Sequence, residues 1–234
     1  GADLFAGAKA TVATSGGAVL PLTTGLETLF ATVKPDVVVD FTNAEGGTIA
    51  MRSCIASGVR CVSGSTGISP DELSAIGANA AEAGVGVISA SNFALGCVVF
   101  IHLARIASSY FDYADVIESH HEMKIDAPSG TALSIVQAML EGKGGEFEQN
   151  MVEKELLAGT RGGSMGGVNV HSARMPGRVA RHEVVFGALG QTLTLLHDSV
   201  DRNSFMPGVM LAVRRVMDEE SMIVGLDKVL GLSG

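Results

Sequence analysis

One short stretch of the sequence concentrates residues that could move protons and hold an anion. His120, His121 and Lys124 place three potential cations close together. The segment Pro128–Thr131 follows and opens a helix with an apolar face, for which Ser129 is a good N-cap. A helix start rich in small residues exposes backbone N–H groups at the positive end of the helix dipole. Cations upstream and N–H groups downstream predict a pocket for a carboxylate or phosphate.

The two adjacent histidines also have less specific explanations. In a strand, His120 and His121 would point to opposite faces, so only one of them need face a substrate. Solvation in a loop or a hydrogen bond in the core would explain either one alone, but the nearby Lys124 and Ser129 favour a site. A zinc centre needs three or four ligands at suitable spacing, and this stretch offers no His-x-x-x-His pair and no cysteine. The sequence therefore predicts no metal ion.

Composition and charge exclude several classes of protein. The 234 residues, of which 47% are hydrophobic, fit one large or two modest folded domains rather than a disordered chain. No apolar run reaches membrane length and no signal peptide is predicted. The net charge of −9 argues against a nucleic-acid partner. Three cysteines without a CxxC pair predict buried, reduced thiols and a cytoplasmic protein.

The first part of the chain predicts an α/β domain with a parallel sheet. Apolar runs at Asp36–Phe41, Val59–Ser63 and Val85–Ser89 alternate with helical patterns such as Ile49–Ser57. Each run ends in a polar turn, and ligands of open α/β sheets bind at the carboxyl ends of strands. We therefore expect one ligand crevice along the three turns, although each turn alone could merely cap a helix. Val19–Leu22 is predicted to be a short edge strand and Thr24–Val33 an amphipathic helix.

The second part of the chain predicts a different architecture. Three segments alternate polar and apolar residues, as strands with one exposed face do: Val168–Arg174, Arg181–Phe186 and Gln191–His197. Together with the strand ending at Val116-Ile117, they predict a mixed sheet of about four strands with helices on one face. Helices are predicted at Phe93–Ala107 and Phe205–Met217, and Met222–Leu230 is expected to return to the first domain. The predicted mobile segment is the glycine-dense Arg161–Gly167.

The resulting fold class is α/β, with a Rossmann-like parallel-sheet domain and an α+β domain that has an open mixed sheet. The first domain is predicted to comprise residues 1–92 and 205–234. The second is predicted to comprise residues 93–204.

The stretch from Glu118 to Thr131 resembles the signature of the dihydrodipicolinate reductase family. It contains Glu-x-His-His-x-x-Lys-x-Asp-Ala-Pro-Ser-Gly-Thr, a contiguous match that is far more specific than a lone glycine motif. The resemblance implies reduction of 4-hydroxy-tetrahydrodipicolinate by NADPH or NADH in diaminopimelate and lysine biosynthesis, with loss of water. It also implies a small dicarboxylate as the substrate and a homotetramer, with the second domain, residues 93–204, binding the substrate and forming the tetramer contacts.

The same resemblance implies roles for individual residues. His120 is the expected acid, and Lys124 a second proton donor or a plain charge. His121 and the helix start at Ser129, Gly130 and Thr131 are expected to bind the substrate and its carboxylate. The polar turns after the strands are expected to meet the nicotinamide cofactor through Phe41, Thr42, Gly64, Ser65, Thr66, Ser91, Asn92, Phe93 and Ala94. Ser65 and Ala94 depart from the family's usual Thr and Ser.

The start of the sequence differs from the family pattern. No G-x-x-G-x-x-G turn opens the chain, and Gly16-Gly17 is predicted to be a loop. Gly1–Leu4 resembles sequence that follows the family's first βαβ unit, so an N-terminally incomplete Rossmann-like domain and poor NADPH binding are expected. Two alternatives remain: another two-domain NAD(P)-dependent dehydrogenase, or a truncated or degenerate relative that only oligomerises. A dehydrogenase acting on a semialdehyde would need a cysteine in an electropositive turn, which none of the three has.

Overall fold

A computed structural model of the chain describes residues 11–13, 19–21 and 25–232. These residues divide into two compact units. The first comprises the described residues up to Phe93 together with those from Gly208 onward, and the second comprises Ala94–Pro207. No helix in these ranges is long and apolar enough to cross a membrane. The predicted loop at Gly16-Gly17 lies outside the described residues.

Helices and strands alternate in the first unit, whereas the second is rich in strands. The strands are β1 (Thr11–Ala13), β2 (Val19–Pro21), β3 (Val37–Asp40), β4 (Arg60–Ser63), β5 (Val87–Ser89), β6 (Tyr113–His120), β7 (Gly163–Met165), β8 (Val168–Arg174), β9 (Ala180–Ala188), β10 (Gln191–Ser199) and β11 (Met222–Val224). The helices are α1 (Leu26–Val33), α2 (Ala44–Ala56), α3 (Pro70–Ala83), α4 (Leu95–Ser108), α5 (Gly130–Lys143), α6 (Met206–Arg215) and α7 (Leu226–Val229). Short 3-10 helices occupy Arg202–Phe205 and Val216–Asp218.

A four-stranded parallel sheet in the order β11-β5-β4-β3 forms the centre of the first unit. Side-chain caps begin the helices that follow β3 and β4. Asn43 accepts a hydrogen bond from the Gly46 N–H at 2.9 Å before α2, and Ser69 accepts one from the Glu72 N–H at 3.2 Å before α3. The predicted Rossmann-like parallel sheet is confirmed, and the chain returns to it through β11.

Three elements of the first unit differ in extent from the sequence predictions. β2 pairs with β1 in a separate antiparallel sheet, so it is not an edge of the parallel sheet. Helix α1 begins at Leu26. Helix α2 begins at Ala44, five residues before the predicted Ile49, because the Asn43 cap supplies a start that the apolar pattern does not reveal.

The second unit contains a five-stranded mixed sheet in the order β10-β9-β6-β8-β7. β6 and β8 are parallel, and the other neighbours are antiparallel. Helices α4 and α5 pack together, and both contribute buried residues to the core that includes Val116, Val184 and Phe186. The strand count exceeds the predicted four because β7 forms inside the glycine-dense segment. Gly166 and Gly167, with φ of 57° and 83°, make the turn that folds β7 back on β8.

Candidate active site

The central strand β6 carries two ionisable side chains into the interior of the second unit. Glu118 and His120 are two residues apart, so they lie on the same face of the strand. Glu118 is fully buried and His120 is 7% exposed. The register places His182 of β9 opposite Glu118 and Arg174 of β8 opposite His120. The neighbouring strands therefore determine which charged groups surround the predicted acid.

The Glu118 carboxylate contacts several of the groups in this cluster. Two hydrogen bonds from the Arg174 guanidinium reach its carboxylate oxygens, at 3.0 Å to Oε2 and 2.9 Å to Oε1. The backbone N–H of Ser129 lies 3.3 Å from Oε1, and Oε2 contacts Nδ1 of His120. Burial opposes ionisation of Glu118, but hydrogen bonds from Arg174, Ser172 and His120 outweigh it and hold its pKa below the usual value. Glu118 is therefore an anion that ties strand β6 to the start of helix α5.

The contact with Glu118 fixes the orientation of His120. Because Nδ1 faces the carboxylate, Nε2 is the ring nitrogen that can face a substrate. Burial lowers the pKa of His120, Glu118 partly offsets this, and the positive charges of Lys124 and Arg174 lower it further. The His182 ring packs edge-on against His120, with centroids 5.2 Å apart. A dianionic ligand beside His120 would raise its pKa again, since negative charge favours imidazolium.

The loop after β6 carries the predicted second cation. Lys124 forms an ion pair with the exposed Asp126, with Nζ 2.7 Å from Oδ1, and this contact lowers the pKa of Asp126. Arg174 donates a hydrogen bond to the Asp126 carbonyl at 2.6 Å and so holds the loop to the sheet. Strand β6 continues to His120, beyond its predicted end at Val116-Ile117, and His121 follows it and is half-buried.

Helix α5 starts where the predicted anion site begins. The Ser129 hydroxyl accepts a hydrogen bond from the Ala132 N–H at 3.1 Å, which confirms the predicted N-cap, and lies 3.3 Å from Nε2 of His182. Gly130 is exposed, and a Cβ added there would meet nothing within 4 Å. Thr131 is half-buried. The first turn of the helix is thus open to a ligand.

In the first unit, a buried carboxylate joins the turns after β3 and β4. Oδ1 of Asp40 accepts hydrogen bonds from the Thr42 N–H at 3.0 Å and the Thr42 hydroxyl at 2.7 Å. Oδ2 accepts from the hydroxyls of Ser63 at 2.6 Å and Ser65 at 2.7 Å. The structure therefore brings together Thr42 and Ser65, two of the predicted cofactor contacts, whose hydroxyl oxygens are 3.3 Å apart.

An aromatic ring lies over the same edge of the parallel sheet. Phe41 is 51% exposed, and its ring centroid is 5.4 Å from that of Phe93. A Cβ on Gly64 would come within 2.3 Å of the Phe41 ring, so the close approach requires glycine. The exposed Thr42 and the exposed Phe41 ring, at the carboxyl end of a parallel strand, lie where open α/β sheets bind ligands.

The other predicted cofactor contacts vary in exposure. Thr66 and Ser91 are exposed and Asn92 is half-buried. Phe93 and Ala94 are buried, with 1% and 2% exposure, so contact with a cofactor would require their backbone. Ala94 is the first residue of the second unit and precedes helix α4.

Sequence reasoning missed three residues of these clusters. Arg174 and His182 are not among the predicted site residues, yet Arg174 contacts Glu118, and His182 contacts His120 and Ser129. Asp40 was given no role. Its position at the end of an apolar strand, two residues before Thr42, is the one local signal that could have identified it. Arg174 and His182 have no local signal, because sheet register brings them to the site.

Comparisons with known proteins agree along most of the chain. The family model described as "Dihydrodipicolinate reductase, C-terminus" matches residues 96–230, and "Dihydrodipicolinate reductase, N-terminus" matches residues 5–93. A 4-hydroxy-tetrahydrodipicolinate reductase of Dehalococcoides mccartyi strain CBDB1 is 44% identical over 230 residues, which are 98% of this chain and 87% of the relative. The enzyme of that name from Geobacillus kaustophilus is 44% identical over 214 residues, covering 92% of this chain and 81% of the relative.

A solved structure is similar at the level of the fold as well. Dipicolinate-bound dihydrodipicolinate reductase from Paenisporosarcina sp. TG-14 superposes with a TM-score of 0.82 at 38% identity. The match covers 89% of this chain and 79% of that protein.

Proposed function

The chain belongs to the dihydrodipicolinate reductase family and reduces 4-hydroxy-tetrahydrodipicolinate with a pyridine nucleotide in diaminopimelate and lysine biosynthesis, and we propose a role for each residue of its site. The observation that carries the activity is the match of both family models, together with 44% identity over 98% of the chain. The three cysteines are all buried, which argues against a dehydrogenase that uses an exposed catalytic thiol.

His120 is the proton donor in this proposal. When bound, the reduced nicotinamide supplies a hydride; the substrate also takes up a proton, and its hydroxyl leaves as water. Glu118 holds Nδ1 of His120 and thereby directs Nε2 toward the reacting group. The bidentate Arg174 keeps Glu118 ionised, so the ring has a fixed acceptor. Arg174 and Glu118 are positioning residues in this arrangement.

Lys124 and the start of helix α5 hold the substrate carboxylates. Lys124 pairs with Asp126, and a partly exposed ion pair is weak enough to be exchanged for a substrate carboxylate. The N–H groups of Gly130 and Thr131, at the positive end of α5, bind a carboxylate, with His121 as a further contact. The relative from Paenisporosarcina binds dipicolinate, a planar dicarboxylate, which supports a ligand of this class.

The turns of the parallel sheet bind the nicotinamide half of NADPH or NADH. Thr42 is exposed and Ser65 is buried, their hydroxyls both donate to Asp40, and the exposed Phe41 ring directly precedes Thr42. Gly64, Thr66, Ser91, Asn92 and the backbone of Phe93 and Ala94 complete this edge in the proposal. The assembly we propose is a homotetramer formed through the mixed sheet.

A turnover assay with each nucleotide tests the proposal. Oxidation of NADPH or NADH should require 4-hydroxy-tetrahydrodipicolinate and should be inhibited competitively by dipicolinate. Substrate-dependent oxidation that is insensitive to dipicolinate would retain the reductase and remove the proposed carboxylate site. No oxidation of either nucleotide would favour a relative that only oligomerises.

A further inference from the structure

The second unit contains a cluster of one cysteine and two histidines outside the residues assigned above to protons or carboxylates. His182 of β9 and His197 of β10 are directly paired across the antiparallel ladder, so their side chains lie on the same face of the sheet. Helix α4 contacts β10 and carries Cys97 in its first turn. One potential ligand atom from each of the three residues lies within 4.8 Å of the other two.

Two ring nitrogens in this cluster have no hydrogen-bond partner. His182 Nδ1 and His197 Nδ1 are both buried from solvent and unpaired. The His182 side chain is almost completely enclosed, since the residue is 2% exposed, and its Nε2 already contacts the Ser129 hydroxyl. An unpaired buried polar atom is destabilising, so proteins rarely keep one without a ligand, a water or an ion. Two such atoms, on two of the three residues of the cluster, indicate a site that is complete only when something binds.

We propose that Cys97, His182 and His197 bind one thiophilic cation of the Zn²⁺ class. Two imidazoles and one thiolate are the donors that Zn²⁺ prefers, whereas Mg²⁺ and Ca²⁺ prefer oxygen. Tetrahedral zinc with bonds of about 2.0–2.3 Å places neighbouring ligand atoms roughly 3.3–3.8 Å apart, so separations that are now within 4.8 Å would shorten by at most about 1.5 Å. Rotation of side chains supplies that movement, and a water completes the fourth position.

The protonation states suit coordination. Burial lowers the pKa of His182 to about 4, with the charge of His120 adding to the effect, and burial likewise lowers the pKa of His197. Both imidazoles are therefore neutral at neutral pH and can donate a lone pair. Cys97 must lose its thiol proton to solvent when the cation binds, so each binding event releases that proton.

A cation could enter from the side of the helix start. His197 is half-buried, whereas Cys97 and His182 are buried beneath it. Gly96 is exposed, and a Cβ there would stand 3.0 Å from Nε2 of His197. Local sequence spacing could not find these ligands, because residues 97, 182 and 197 meet only when α4 packs on the β9–β10 hairpin.

Cobalt binding to the full chain, kept reduced with a non-thiol reductant, tests the proposal without reference to turnover. Co²⁺ bound by a thiolate gives a near-ultraviolet charge-transfer band, and four-coordinate Co²⁺ gives intense visible bands. We expect both bands to saturate at one cation per chain and to be abolished by Zn²⁺. Cys97→Ser should remove the charge-transfer band, and His197→Gln should weaken binding at least tenfold.

The matched control comes from the first unit, where Cys54 and Cys61 are buried neighbours whose thiols interact. Cys54→Ser should leave the cobalt spectrum unchanged, because that pair is outside the proposed site. Loss of the band in Cys54→Ser but not in Cys97→Ser would overturn the proposal, as would the absence of a charge-transfer band in the parent. Circular dichroism of every variant must match the parent; where Cys97→Ser fails this check, the spectrum of His197→Gln decides the question.

Discussion

At the scale of single residues, the site depends on a carboxylate that never touches the substrate in our assignment. Glu118 holds His120, Arg174 and the backbone of Ser129, which come from three different elements. Its fully buried charge is stabilised by these partners and by a hydrogen bond from Ser172. The orientation of the proton donor is therefore inseparable from the stability of the strands that carry it.

His120→Ala and Lys124→Ala should each lower kcat by about 10²-fold or more, the range for loss of a positioned acid or charge. Steady-state assays with saturating nucleotide measure the effect. Lys154→Ala is the matched control, because Lys154 is exposed and takes no part in the site, and it should retain the parental rate. Near-parental kcat in both site variants, with an unchanged circular dichroism spectrum, would remove the two residues from catalysis.

Glu118→Gln should destabilise the protein at neutral pH by about 3–5 kcal/mol, because the Arg174 charge loses its buried partner. The folded pKa of Glu118 is depressed, so its stabilising contribution is complete above the usual value of 4.5 and is lost as pH falls through the folded pKa. Urea unfolding at neutral pH and well below pH 4.5 should therefore show a smaller loss on acidification in the variant than in the parent.

The control for this comparison is Glu72→Gln, which removes a partly exposed ion pair with Arg52. It should change the free energy of unfolding by less than about 1 kcal/mol at neutral pH. Equal acid sensitivity of the parent and Glu118→Gln would show that Glu118 does not carry the proposed linkage.

At the scale of elements, both proposed binding regions lie where a regular element begins or ends. At the ends of the parallel strands β3 and β4, side-chain hydroxyls donate hydrogen bonds to Asp40. Helix α5 begins with backbone N–H groups that follow the Ser129 cap. These termini have backbone groups without partners inside their own element, which makes them available to a ligand. The regular part of each element holds its end in place, and the groups at that end are the ones that contact a ligand.

Thr131→Val should weaken binding of dipicolinate, because the hydroxyl at the open first turn of α5 is lost while the shape is retained. Affinity should also fall as salt is added, since the Lys124 charge contributes to binding. Ser134→Ala is the control, because that hydroxyl bonds to the Gly130 carbonyl within the same helix and is exposed. Calorimetry showing equal affinity for the parent and Thr131→Val would exclude Thr131 from the site.

At the scale of the whole molecule, the mixed sheet has one face in the core and an opposite face that carries the half-buried Val185 and the exposed Leu196. Val184, Phe186 and Leu195 pack in the core, so Val185 and Leu196 project from the opposite face. Leu196 is 55% exposed. An open sheet face with apolar residues is suited to association with another copy of the chain.

We expect the parent to be a tetramer in light scattering at micromolar concentration. Leu196→Arg should shift it to smaller species, because charge repulsion and desolvation would oppose sheet-to-sheet contact. Ile106→Arg is the control: Ile106 is 50% exposed on α4, which packs on the core side of the sheet, and that variant should remain tetrameric. A monomeric parent would contradict the proposed assembly, and a tetrameric Leu196→Arg would place the interface elsewhere.

Features encoded by short stretches of sequence were predictable. The alternation of apolar strands and helices in the first unit specified the parallel sheet, because each element depends mainly on its own pattern and caps. The Ser129 cap, the cluster of His120 and Lys124, and the polar turns after β3 and β4 were identified for the same reason. The family resemblance also rested on one contiguous segment, Glu118–Thr131.

Features that depend on distant parts of the chain were decided by the tertiary structure. Arg174 is 56 residues from Glu118, and the parallel register of β6 and β8 is what joins them. The same holds for His182, which reaches Ser129 and the Cys97–His197 cluster only through the β9 pairings. Strand β7 has too few apolar residues to be recognised from sequence alone, and it forms because its backbone pairs with β8 in an antiparallel ladder. Register and burial are collective properties of the folded sheet, and no local pattern encodes which side chains they will bring together.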